Sequence, residues 1–130
     1  MRTKRRSRTI FSMLPAFLAL FASLAFAQEM TERHIPLGAY PYLKSEYLAA
    51  GTIVNVDGEA RTLILDIDGG ERSYRLTAST KIWLDRSRFG RTTLDGTLSD
   101  LAAGLKAEVR SLGPERRDVA HWVKVQIAPP

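Results

Sequence analysis

Any chemistry in this 130-residue chain must be done without cysteine. That absence removes thiolate nucleophiles, sulfur-ligated zinc and lipid attachment through a leader cysteine. Two histidines remain, His34 in a proline-containing stretch and His121 close to the C-terminus. Catalysis needs groups of matched pKa in convergent geometry, and neither histidine has a partner at a spacing such as H-E-x-x-H, nor is there a G-x-S-x-G elbow. A lone histidine in an apolar strand is usually a hydrogen-bonded core or rim residue. Asp66-Ile-Asp68-Gly69, with Asp57 and Asp85 at other strand ends, offers oxygens to a hard cation, which takes about 6–8 of them. Gly70 and Arg72 stand where a calcium loop would carry acids, and aspartate before glycine forms ordinary turns. The residues therefore predict a non-enzymatic protein with no catalytic residue, cofactor or metal. What they do offer is a sticky surface: Arg75, Trp83, Arg86, Arg88, Arg110 and Trp122 combine flat aromatic rings with cations, the residue types that hold a glycan or a protein partner.

Short runs bounded by turn residues must position those side chains. Gly51-Thr-Ile-Val-Asn-Val-Asp57, Thr62-Leu-Ile-Leu-Asp-Ile67, Ser73-Tyr-Arg-Leu76 and Lys81-Ile-Trp-Leu84 are rich in β-branched and aromatic residues and alternate in polarity. Asp57-Gly58 and Asp68-Gly69-Gly70 between them tolerate positive φ, so the runs predict consecutive antiparallel strands. Strict alternation points Val54, Val56, Leu63, Leu65, Ile67, Tyr74, Leu76, Ile82 and Leu84 into a barrel. The same phase puts Ile53, Ile64 and Trp83 on the outer face. Thr97-Leu-Ser-Asp-Leu-Ala-Ala-Gly104 predicts one helical turn, with Thr97 or Ser99 as N-cap, Asp100 at the positive dipole end and Gly104 as the stop. Leu98 and Leu101 would plug the barrel end. Leu105, Ala107 and Val109, then Val123, Val125 and Ile127, point inward from two further strands, leaving Lys106, Glu108, Arg110, Trp122, Lys124 and Gln126 outside. In that last strand His121 falls in the inward phase beside Val119 unless a bulge intervenes. Asp85 to Gly96, with three arginines and Phe89, reads as a solvated surface loop.

The N-terminal end is of another kind. Arg2, Lys4, Arg5, Arg6 and Arg8 precede an apolar run from Ile10 to Phe26, and Ala25-Phe26-Ala27 has the small-x-small form of a signal-peptidase site. Residues 1–27 read as a secretory leader cut between Ala27 and Gln28, which places the mature protein in the periplasm or outside the cell with no stable membrane span. Of the 19 lysines and arginines, five lie in that leader, leaving 14 against 14 acids. A neutral mature chain loses the positive charge that nucleic-acid binding draws on.

Residues 28–50 form an extension ahead of the barrel domain at 51–130. Pro36 and Pro41 predict an irregular or extended path rather than a helix. Ile35, Leu37, Tyr40, Tyr42, Leu43, Tyr47 and Leu48 make it too apolar for a free linker, so His34 to Tyr47 is expected to lie across the outer face and cover Ile53, Ile64 and Trp83.

Taken together, Gly51-Thr-Ile-x-x-Val56, Thr62-Leu-Ile-Leu65, Thr80-Lys-Ile82, Ser99-Asp-Leu-x-x-Gly104 with Ala107-x-Val109, and Trp122-Val-Lys-Val125 resemble a group of exported bacterial domains of unknown function. The resemblance covers residues 51–127. It implies an all-β fold, a small antiparallel OB-like barrel of five to six strands with one short helical turn, and it supplies no catalytic residues. The expected role is a binding or interaction module of the cell envelope, with a carbohydrate- or peptide-binding protein using the outer aromatic face as the alternative.

Overall fold

The computed structural model describes residues 31–39 and 47–129. The leader, its Ala27–Gln28 junction and residues 40–46 of the extension lie outside the described residues. Two compact units divide the chain, residues 1–32 and 33–130, and the barrel belongs wholly to the second. Residues 31–34 are helical where an irregular path was expected, and the helix ends before Ile35, whose neighbour Pro36 disfavours helical backbone.

Six strands form among the described residues: β1 (Leu48–Asp57), β2 (Thr62–Ile67), β3 (Gly70–Asp85), β4 (Leu94–Asp95), β5 (Lys106–Ser111) and β6 (Val119–Gln126). Their order is β2-β1-β5-β6-β3-β4, and a further β2–β3 pairing closes the first five into a barrel with β4 outside the ring. This is the connectivity of an OB-type barrel, a five-stranded Greek-key closure. Its pairings are antiparallel apart from β3 with β6, which run parallel, a correction to the all-antiparallel expectation.

The barrel closes because two strands bend and serve two partners. β1 pairs with β5 through Leu48 to Thr52 and with β2 through Thr52 to Asp57. At the changeover sits Gly51, where a Cβ would stand 2.2 Å from the Asp66 carbonyl oxygen, so no other residue fits that crossing. The barrel thus begins at Leu48, ahead of the Gly51 start read from the sequence. β3 is one continuous strand of 16 residues where two runs were expected. It turns a corner between Leu76 and Lys81, where the register with β6 shifts. There the Thr77 amide donates to Thr80 Oγ1 at 2.9 Å, and that hydroxyl donates to the Ala120 carbonyl at 2.7 Å.

The core joins Ile53, Leu63, Leu65, Tyr74, Leu76, Leu101, Ala107, Val109, Ala120, Val123 and Val125. Leu98 packs against it beside Leu101, and the Thr97 amide donates to Asp100 Oδ2 at 2.7 Å, closing the turn at the barrel end. Alternation gave Val54 and Ile53 the wrong faces. The β1–β2 register shifts between Ile53 and Asn55, and this bulge turns Ile53 inward and leaves Val54 41% exposed while Val56 stays on the core. A second bulge lies in β5–β6, where Arg110 pairs with Trp122 and Ser111 with Ala120. His121 is the skipped residue and sits half-buried off the core face.

Candidate functional site

On the face of β3, β5 and β6 opposite the core, five side chains are withdrawn from solvent. Trp83 is 2% exposed, Trp122 0%, Asp85 1%, Glu108 0% and Lys124 0%. The register explains how they meet. Glu108 on β5 lies across from Lys124 on β6, Trp83 on β3 lies across from Lys124 on its other side, and Lys81 and Arg110 flank Trp122. Period-2 alternation then places Trp83 with Asp85 and Trp122 with Lys124 on one face. The indoles are 5.1 Å apart at a tilt of 32°. Lys124 Nζ stands 5.7 Å from the Trp83 ring centre and 5.0 Å from that of Trp122, within the range at which a cation is held by an aromatic quadrupole.

What covers this layer is the segment from Arg33 to Gly38. Lys124 Nζ donates to the Ile35 carbonyl at 2.5 Å. The Leu37 amide donates to Asp85 Oδ2 at 2.7 Å, and the Gly38 amide to Glu108 Oε2 at 3.3 Å. Arg33 pairs with Asp95 and donates through Nη2 to the Thr93 carbonyl at 3.2 Å. The segment therefore touches β4, β6, β3 and β5, crossing the sheet. It does so in a defined shape: the Ala39 amide donates to the Pro36 carbonyl at 3.0 Å, and Gly38 has φ +82°. With Leu37 at negative φ, this is a type II turn, which wants glycine at its third position.

The electrostatics differ between the two acids. Burial works against the charge of Asp85, but the amide of Leu37, the hydroxyl and amide of Ser87 and the nearby Lys124 outweigh it and hold the carboxyl below its ordinary value. Glu108 is pushed above its ordinary value, chiefly by burial, with Lys124 and the Gly38 amide only partly offsetting it and Asp85 adding to the rise. Its second oxygen, Oε1, is buried with no hydrogen-bond partner among the described residues.

The six residues expected to form a surface separate into two sets. Trp83 and Trp122 come together but are buried, so neither presents a ring to a ligand in this conformation; Arg110 is half-buried next to Trp122. Arg75 is exposed, paired with Val119 at the opposite end of β3 from Trp83. Arg86 serves its own loop, whereas Arg88 reaches from it to β6. Arg86 Nε donates to the Thr92 carbonyl at 2.8 Å, and Arg88 reaches Gln126 Oε1 at 3.4 Å. Arg88 lies in a 3₁₀ turn, Ser87–Phe89, which follows Arg86 and is ended by Gly90 at φ +71°.

Sequence reasoning missed the charged members Asp85, Glu108 and Lys124. For Asp85 a signal was present, since Trp83-Leu-Asp85 puts the charge in phase with an indole expected to be covered; Lys124 is likewise in phase with Trp122, and Glu108 has no such neighbour. Of the other candidates, Asp57 Oδ1 accepts the Glu59 and Ala60 amides and Asp66 Oδ1 that of Gly69, as turn-forming aspartates do. Among the described residues no three histidines or acids converge as a metal site would require. No helix among them is long and apolar enough to cross a membrane.

No protein-family model matches this chain, and no curated sequence does. Among solved structures it is similar to a copper(II)-bound tryptophan-to-alanine variant of CusF from Escherichia coli. The identity is 14%, the TM-score 0.42, and the match covers 61% of this chain and 89% of that one.

Proposed function

We propose that this protein is an exported, non-enzymatic binding or interaction module of the cell envelope, periplasmic or secreted once its leader is removed. One observation supports the reading: three charged side chains buried on the outer face of the barrel, Asp85, Glu108 and Lys124, are spent on holding polypeptide main chain. Burying charge is costly unless it is matched, and here the match is made to the carbonyl and amides of a crossing segment. A protein partner fits this face better than a glycan, because the two indoles that would stack on a sugar are packed against each other and against Lys124.

The test is retention from envelope extract on the immobilised full chain. A defined protein should be retained and then lost on Lys124→Met. Turnover in a broad hydrolase screen that disappears in His121→Ala would overturn the non-enzymatic reading.

A further inference from the structure

The geometry points to a turn-recognition site for a partner polypeptide, which the segment Arg33 to Gly38 occupies as a built-in competitor. This deepens the interaction-module reading and rests on it.

The segment shows what the face selects. Behind Arg33 the segment is held by its main chain: the Ile35 carbonyl accepts from Lys124, and the Leu37 and Gly38 amides donate to Asp85 and Glu108. Groups that read main chain accept any chain that presents one carbonyl followed, two and three residues later, by two amides on a type II turn. Proline fits between them because its missing N–H is not asked for, and glycine fits because the third turn position has φ +82°. Arginine two residues before the carbonyl adds Asp95 and the Thr93 carbonyl. The ligand class is thus a polypeptide of the form arginine, any residue, apolar, proline, apolar, glycine.

A second observation indicates that the resident segment is an imperfect occupant. Glu108 is fully buried under it, yet Oε1 has no donor among the described residues. Within this class, a ligand whose variable position also carries a donor to that oxygen removes a desolvation cost which the resident segment leaves uncompensated. Displacement is also local, because residues 33–38 contribute no strand to the closed barrel.

The probe is a dye-labelled peptide with the sequence of residues 31–40, titrated against the full chain by fluorescence anisotropy. Three versions differ at the position of Gly38: glycine, L-alanine and D-alanine. Positive φ costs an L-residue enough to weaken binding about tenfold, and a D-residue adopts it without strain. The expected order is D-alanine, then glycine, then L-alanine. In the chain itself a Cβ at Gly38 meets nothing within 4 Å, so Gly38→Ala loosens the resident turn without a clash and should tighten peptide binding about tenfold. Opposite signs for one substitution in peptide and chain are what competition for one face demands.

Equal binding of the L- and D-alanine peptides overturns the proposal, using unaltered protein and so whether or not the variant folds. A Gly38→Ala chain that forms a concentration-dependent dimer and takes up no more peptide also overturns it, in favour of a second copy as occupant. If peptide binding fails while an envelope protein is still retained by the chain, the turn mode falls and the interaction-module reading stands.

Discussion

Replacing Lys124 by methionine isolates the charge from the packing. Methionine keeps an unbranched stem of similar volume against Trp83 and Trp122 but removes the ammonium that lies across from Glu108 and holds the Ile35 carbonyl. Above its folded pKa Glu108 is left ionised, buried and without its cation in the variant, and breaking a buried pair in this way costs about 3–5 kcal/mol. For a domain of this size that lowers Tm on the order of 15–30 °C. Below that pKa, already raised by burial, Glu108 takes up a proton instead. What remains is the loss of one hydrogen bond from a charged donor, roughly 1.5–3 kcal/mol, and of the Lys124 charge beside Asp85. The cost should therefore shrink by about half as pH falls through that pKa when followed by thermal or urea unfolding. In a double-mutant cycle with Glu108→Gln, the two effects should fall short of additivity by at least about 1 kcal/mol. A destabilisation that does not change with pH, with single effects that add within about 0.5 kcal/mol, would refute the reasoning.

Three further outcomes follow from the same geometry. Gly51→Ala drives a Cβ into the Asp66 carbonyl at 2.2 Å and should cost about 2–3 kcal/mol; urea midpoints within error of the parent would show that β1 has room to move. Glu108 favours folding most when protonated, so its contribution is complete below its ordinary value of 4.5 and is lost as pH rises through the raised folded value. Asp85 has the opposite sign, its contribution being complete above 3.8 and lost as pH falls through the lowered value. Measured from pH 4.5 to 8, Glu108→Gln should gain stability relative to the parent as pH rises, and a pH-independent difference would count against the burial of that carboxyl. Deleting residues 28–47 should lower Tm sharply and shift tryptophan emission from blue, quencher-resistant to red, quenchable, because it uncovers Trp83 and Trp122; an unchanged melt and spectrum would mean that the segment covers nothing.

Much of the barrel was legible because a two-residue polarity rhythm is a local property. Leu63 and Leu65, Tyr74 and Leu76, Ala107 and Val109, and Val123 and Val125 all point into the core as alternation required. The rhythm failed at Ile53 and Val54, where a bulge inserts a residue, since bulges are set by how two strands must bend to close rather than by either strand's composition. It was also silent on the parallel β3–β6 pairing, which depends on the path of the whole chain.

The sequence by itself determined the all-β class, the inward set of most strands, the helical turn that plugs one end and the absence of motif-spaced reactive groups. Only the tertiary structure decided that Glu108, Lys124 and Asp85 are interior residues. Charged side chains on the outer phase of a strand read as solvated until something lies on them. Here the covering turn, the carboxylates and the ammonium come from segments distant in the chain, and only the closed barrel with Arg33 to Gly38 across it brings them within hydrogen-bonding reach.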